Sequence, residues 1–118
     1  MPVLAGAGIK AMLAQLSDEA VDEVLARTEL KSYTPHSIID KAVYKQEVLD
    51  VRQQGIAYDR EEYIEGMVAF AVPIRANSKG VQAAIWAVGL TRQMPDSSIS
   101  ELAELLKGIC QEINYRIQ

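Results

Sequence analysis

Two apolar segments joined by a polar turn constrain the fold of this chain more than any other feature. Residues 67–74 and 81–88 are almost uninterrupted apolar runs, and residues 75–80 between them are polar and end in glycine. Runs that do not alternate with polar residues are typical of strands that are covered on both faces. The pattern therefore predicts a buried β-hairpin, with Pro73 at an edge or a strand end because proline has no backbone donor.

Three helices are predicted before the hairpin. The first covers residues 8–16, where apolar side chains recur at helical spacing. Ser17 is a suitable N-cap for a second helix, which ends near Arg27. Asp40 is a suitable N-cap for a third helix through Gln54, and Gly55 is a natural left-handed stop. A short strand near residues 56–58 follows.

A long C-terminal helix is predicted after the hairpin. Ser98-Ile99-Ser100-Glu101 has the Ser-x-x-Glu spacing of a capping box. The helix has an apolar seam at alternating spacings of three and four residues, formed by Ile99, Leu102, Leu106, Ile109 and Ile113. Cys110 is expected on its buried side, as an unreactive thiol.

Length and charge limit the classes of function. A chain of 118 residues forms one domain, and its longest apolar run is far shorter than the ~20 residues of a membrane helix. A formal charge of −4 disfavours an extended surface for nucleic acid phosphates, so contact with DNA would need another domain. A single cysteine fits a reducing cytoplasm, where we expect the protein to act.

The sequence offers little catalytic chemistry. Asp59, Glu61 and Glu62 are close enough in sequence to supply paired carboxylates, but Glu61 and Glu62 are predicted to be solvated surface groups. The single histidine, His36, lies in a predicted loop with no nucleophile at a defined spacing. We therefore expect no catalytic residues, no metal site and no cofactor, and keep an enzyme based on residues 59–62 only as a remote alternative.

Several short motifs in fixed order point to one family. They are Arg52-Gln53-Gln54-Gly55, Tyr58-Asp59-Arg60-Glu61-Glu62, Gly66, Ala71-Val72-Pro73-Ile74 and Ala83-Ala84-Ile85. Together they resemble the effector-binding domain of IclR-type bacterial transcription regulators. The resemblance implies a single α/β (α+β) domain with a GAF-like antiparallel sheet and flanking helices. It implies that residues 1–118 lack the winged helix-turn-helix and the first strands of the family, and that the chain forms homodimers or tetramers.

The resemblance also implies a ligand site. It assigns backbone donors to Ala7 and Gly8, and places Asp59, Ala69, Trp86 and Val88 around a small organic-acid or aromatic effector. The family's second strand ends in Ser-x-Ser-Gly, and here the two serines are replaced by Trp86 and Val88. Trp86 is therefore expected either to stack on a planar effector or to fill the pocket, which would leave a ligand-free association module.

Overall fold

The computed structural model describes residues 4–74 and 83–117. Its elements, in chain order, are α1 (Ala7–Leu13), α2 (Asp18–Arg27), α3 (Lys41–Gln54), β1 (Ala57–Arg60), β2 (Met67–Ile74), β3 (Ala83–Leu90) and α4 (Asp96–Ile117). A short 3-10 helix, Thr91–Gln93, connects β3 to α4. The predicted polar turn at 75–80 and residues 81 and 82 of the predicted second strand lie outside the described residues.

The described strands form an antiparallel sheet in the order β1-β2-β3, which confirms the predicted fold class. Pairing of β1 with β2 ends at Ala71, whereas β3 continues alongside β2 as far as Ile74. Within the described sheet, Pro73 therefore has a neighbouring strand on one side only, opposite Ala84. This position near a strand end is compatible with a residue that has no backbone donor.

The helix ends follow the capping signals in α2 and α3. The Ser17 hydroxyl accepts a hydrogen bond from the Ala20 N–H at 3.2 Å, and Asp40 Oδ1 accepts one from the Ala42 N–H at 2.8 Å. Gly55 ends α3 with φ 77°, in the left-handed region that glycine adopts without strain. These three predicted boundaries are confirmed.

The ends of α1 and α4 differ from the prediction. Helix α1 ends at Leu13 rather than at residue 16. Helix α4 begins at Asp96, so Ser98 lies within its first turn and the predicted capping box is wrong. The carbonyl of Pro95 instead accepts hydrogen bonds from the backbone N–H groups of Ser98 and Ile99, at 2.9 and 3.1 Å.

The two faces of the sheet pack against different partners. Val68, Phe70 and Val72 point toward α4 and form one core cluster with buried residues of that helix. Ala57 and Ala71 point to the opposite face and form a second cluster with α1, α2 and α3. Since side chains alternate along a strand, the large and the small side chains in the middle of β2 lie on opposite faces.

Coverage of the outer strand differs from the prediction. The middle of β2 is buried on both faces, as predicted, with Phe70 and Ala71 at most 1% exposed. In β3, however, Trp86 is 59% exposed and Val88 is 53% exposed. The reason is positional, because β3 is the outer strand of the described sheet and α1 covers only part of that face.

The apolar seam of α4 is only partly buried. The side chains that face the sheet are Ile99, Ala103, Leu106 and Cys110, so Ile99, Leu106 and the buried position of Cys110 are confirmed. Leu102 and Ile109, also predicted in the seam, are 41% and 45% exposed, and Leu105 is 61% exposed. The helix has two apolar stripes, and the sheet packs against the one with the smaller side chains.

Among the described residues, no helix combines the length and the apolar character needed to span a membrane.

Candidate ligand-binding site

A cleft of about 490 Å³ opens between the start of α1, the end of β1 and the outer strand β3. It is lined by all six residues that the sequence predicted for the ligand site, namely Ala7, Gly8, Asp59, Ala69, Trp86 and Val88. Apolar side chains that the sequence did not single out complete the lining, among them Ile9, Met12, Ile64 and Met67. The fold thus places segments that are up to about eighty residues apart in sequence around one apolar cleft.

The small residues before α1 form one wall of the cleft. Gly6 has φ 108°, a left-handed value that a residue with a side chain rarely adopts. No side chain of the described residues caps α1 at Gly6, and the first N–H groups of a helix have no partner within the helix. Backbone polar groups are therefore the hydrogen-bonding groups that Ala7 and Gly8 contribute to this wall.

Trp86 forms the wall of the cleft beside Gly8. Its indole ring lies over Gly8, because a Cβ atom added at Gly8 would be 3.5 Å from Cε3 of the ring. The side chain remains 59% exposed, and the cleft beside it stays open. Trp86 therefore lines the cleft in this structure and does not fill it.

Asp59 is the only charged side chain among the described residues that line the cleft. It is 8% exposed, and its Oδ1 accepts a hydrogen bond from the Glu62 N–H at 2.8 Å. Burial raises the pKa of Asp59, and the negative charge of Glu62 raises it further, while backbone N–H donors and the ammonium group of Lys10 oppose the increase. The described lining of the cleft is thus apolar apart from this one carboxyl group.

The two glutamates after Asp59 are less solvated than the sequence predicted. Glu62 is 8% exposed, and its Oε1 lies 2.7 Å from Nζ of Lys10, which is fully buried. Glu61 has φ 60°, and its Oε1 accepts the Gly66 N–H at 2.8 Å. The prediction is wrong for Glu62, because Lys10, distant in sequence, closes over its carboxylate, whereas the Glu61 side chain stays 26% exposed.

Lys10 is the functional candidate that sequence reasoning missed. It lies on the face of α1 that carries the buried residues Ala7, Ala11 and Leu13, where a charged side chain is unusual without a partner. A lysine among small apolar residues on the inner face of a helix was the available signal. The partner itself is 52 positions away in sequence, and only the fold identifies it.

The structure assembles no catalytic constellation from the described residues. His36 is half exposed, and its Nε2 lies 3.9 Å from Glu61 Oε2. Cys110 is buried against the sheet, and this burial raises the pKa of its thiol, which disfavours the reactive thiolate. No group of three or more metal-ligating side chains occurs among the described residues.

Comparison with known proteins identifies relatives along nearly the whole chain. Residues 1–115 match the family model described as bacterial transcriptional regulator IclR C-terminal. The chain is 28% identical over 113 residues to the transcriptional repressor IclR of Escherichia coli K12, which covers 96% of this chain and 41% of that protein. It is 25% identical over 114 residues to the repressor AllR of Salmonella typhimurium, covering 97% of this chain and 42% of that protein. The chain therefore spans less than half the length of these relatives, which are regulators and not enzymes.

Solved structures show the same architecture. The crystal structure of Thermotoga maritima IclR matches with a TM-score of 0.85 and 30% identity, covering 97% of this chain and 46% of that one. The inducer-binding domain of PobR from Acinetobacter, a double mutant in complex with 3-hydroxybenzoic acid, matches with a TM-score of 0.84 and 28% identity. That match covers 97% of this chain and 66% of the PobR chain.

Proposed function

This chain belongs to the family of IclR-type bacterial transcriptional regulators and corresponds to their C-terminal effector-binding domain. We propose that it binds a small organic acid of planar, aromatic character. The observation that carries the proposal is the convergence of Ala7, Gly8, Asp59, Ala69, Trp86 and Val88 on one apolar cleft. Pockets of this kind, apolar with few polar groups, are typical of small-molecule sites.

The lining favours an aromatic effector over a small polar one. The indole of Trp86 provides a flat, exposed surface on which a ring can stack, and Ala69 leaves space on the adjacent strand. Trp86 and Val88 replace the two hydroxyl-bearing residues of the family pattern, so a ligand gains apolar contact there and loses the hydrogen bonds of the two hydroxyl groups. A benzoate-like acid suits this combination, as in the 3-hydroxybenzoic acid complex of the PobR domain.

The polar ends of such a ligand would have separate partners. Its carboxylate would accept hydrogen bonds from the backbone at Ala7 and Gly8, where the helix end also favours negative charge. A hydroxyl group on the ring would donate to Asp59. In the cytoplasm, the domain would act within a longer protein that also carries a DNA-binding domain. If the effector binds one arrangement of the subunits more tightly than another, its binding would change the affinity of that protein for DNA.

A titration with benzoate, 3-hydroxybenzoate and acetate tests this proposal. Trp86 is the single tryptophan, so its fluorescence reports directly on the cleft. We expect saturable quenching with the aromatic acids, weaker binding of acetate, and loss of binding in Val88→Phe, which narrows the cleft. Leu105→Phe, on the exposed side of α4, is the matched control and should bind as the wild type does. Absence of binding of all three acids at millimolar concentration, measured by calorimetry, would refute an acid-sensing role.

A ligand-free association module remains the second candidate, since one observation favours it. The exposed stripe of Leu102, Leu105 and Ile109 on α4 is the kind of apolar surface that marks an interaction site. Sedimentation velocity at several concentrations distinguishes the two candidates when combined with the titration. A monomer at all concentrations would eliminate the association module, and an oligomer that binds no acid would favour it.

A further inference from the structure

Lys10 is a buried cation that points away from the cleft. Its side chain is fully buried, its Nζ lies 2.7 Å from Glu62 Oε1, and it donates a hydrogen bond to the Tyr58 carbonyl at 2.8 Å. A third acceptor, Glu47 Oε2 on α3, lies 3.8 Å from the same nitrogen. With these partners the ammonium group binds both ends of the segment from Tyr58 to Glu62 and is not directed at a ligand in the cleft.

Glu62 holds the turn that begins at Asp59 in two ways. Its backbone binds the Asp59 side chain, and its own side chain binds the backbone between the two residues. The Glu62 N–H donates to Asp59 Oδ1 at 2.8 Å, and Glu62 Oε2 accepts the Arg60 N–H at 3.2 Å. The turn passes through Glu61, whose φ of 60° is unfavourable for a residue with a side chain. A turn with this geometry persists only when its surroundings hold it.

Two hydroxyl groups hold the same turn from the other side. Thr34 Oγ1 donates to the Glu61 carbonyl at 2.5 Å, and Ser37 Oγ donates to the Glu62 carbonyl at 2.6 Å. The loop before α3 and the ammonium group of Lys10 on α1 therefore clamp the turn between them. The direction of the Asp59 carboxyl group depends on this clamp, because one of its oxygens is bound by the backbone of Glu62.

We propose that Glu62, fixed by Lys10, is the positioning residue of the cleft, which holds the carboxyl group of Asp59 in the orientation that a ligand meets. The energetics support a positioning role over a purely stabilising one. A buried ion pair carries a large desolvation penalty, and replacing both partners by apolar residues is often neutral or stabilising. Stability alone therefore does not explain this pair. The proposal rests on the proposed function, since it assumes that Asp59 contacts a ligand.

The test uses a variant in which both charges are replaced, Lys10→Met with Glu62→Leu, because Glu62→Gln alone leaves the buried ammonium group with only the more distant carboxylate of Glu47. We expect the double variant to fold and to unfold at a urea concentration close to that of the wild type. Hydrogen exchange at the amide of residue 62 should become at least tenfold faster, while the amide of Phe70 in the central strand is unchanged. The matched control is Glu65→Gln, an exposed glutamate of the same loop, which should leave both amides unchanged.

Affinity for 3-hydroxybenzoate provides the second readout. We expect at least a tenfold loss in the double variant with wild-type stability, and no loss in Glu65→Gln. Unchanged exchange at residue 62 together with unchanged affinity would overturn the positioning role. If the wild type binds no aromatic acid, the proposed function fails, while the exchange measurement still decides whether Glu62 and Lys10 hold the turn. If the double variant does not fold, the pair is required for stability and the positioning role is refuted.

Discussion

Replacement of Arg52 by methionine should destabilise the domain by about 2 kcal/mol. Arg52 lies near the end of α3, and its guanidinium group reaches the chain after α1, where Nε donates to the Ala14 carbonyl at 3.0 Å and Nη2 to the Leu16 carbonyl at 2.5 Å. It also pairs with Asp18 at the start of α2. One side chain thus fastens α1 and α2 to α3, and α1 forms a wall of the cleft.

The magnitude follows from these contacts. A hydrogen bond to a charged group contributes about 1.5–3 kcal/mol when it is buried. Because the Arg52 side chain is 28% exposed, water can replace part of each bond, so we count about 1 kcal/mol for each of the two carbonyls. The ion pair with Asp18 adds little because Asp18 is exposed. A loss of about 2 kcal/mol corresponds to a decrease in Tm of about 6–10 °C for a domain of this size.

Urea denaturation followed by circular dichroism measures this loss. Gln53→Met is the matched control, because Gln53 is exposed on the same helix and glutamine, arginine and methionine have similar helix propensities. Arg52→Lys should recover less than half of the loss, since one ammonium group cannot reproduce the fork geometry of arginine. The reasoning is refuted if Arg52→Met stays within about 0.5 kcal/mol of the wild type, the range of ordinary surface substitutions.

Three further predictions concern the helices and the cleft. Gly8→Ala should raise the free energy of unfolding in urea by about 0.5–1 kcal/mol, because alanine favours the helix and its methyl group would only touch Trp86. A lower free energy of unfolding would show that there is no space for the methyl group beside Trp86. Burial raises the pKa of Asp59 above its ordinary value of 3.8, so folding favours the protonated form, and that contribution is lost as the pH rises through the folded-state pKa. As the pH increases from 3.8, the free energy of unfolding should therefore fall less in Asp59→Asn than in the wild type. The same pH dependence of this free energy in both proteins would contradict the prediction. Leu106→Ala should cost about 2–4 kcal/mol and Leu105→Ala less than about 0.5 kcal/mol, since only Leu106 is buried; similar losses on denaturation would mean that the buried face of α4 is misassigned.

Local signals in the sequence predicted the features that depend on neighbouring residues. Ser17, Asp40 and Gly55 mark helix ends because each acts on the backbone within a few positions, and these ends were confirmed. The capping box at Ser98 was wrong because Pro95 and Asp96 supply an earlier start for α4, and two competing signals three residues apart cannot be ranked from sequence.

Features that depend on distant contacts were less accessible. The position of Asp59, Trp86 and the other site residues around one cleft came from a family resemblance and not from periodicity. The roles of Lys10 and Glu62 were missed because an ion pair between residues 52 positions apart leaves no local pattern. In α4, Leu102 and Ala103 both fit a helical apolar period, and only the packed sheet determines which of them is buried.

The separation of large and small side chains on the sheet gives its two faces different roles. The face toward α4 is filled by large side chains, among which Phe70 is fully enclosed. The opposite face owes its room to alanines, including Ala69 and Ala84 on neighbouring strands. A methyl or a ring added at either alanine reshapes the cleft while the α4 face stays intact. Such a scaffold can acquire a new chemical preference by single substitutions, and Ala69 and Ala84 are the positions at which we would begin to redesign it as a biosensor.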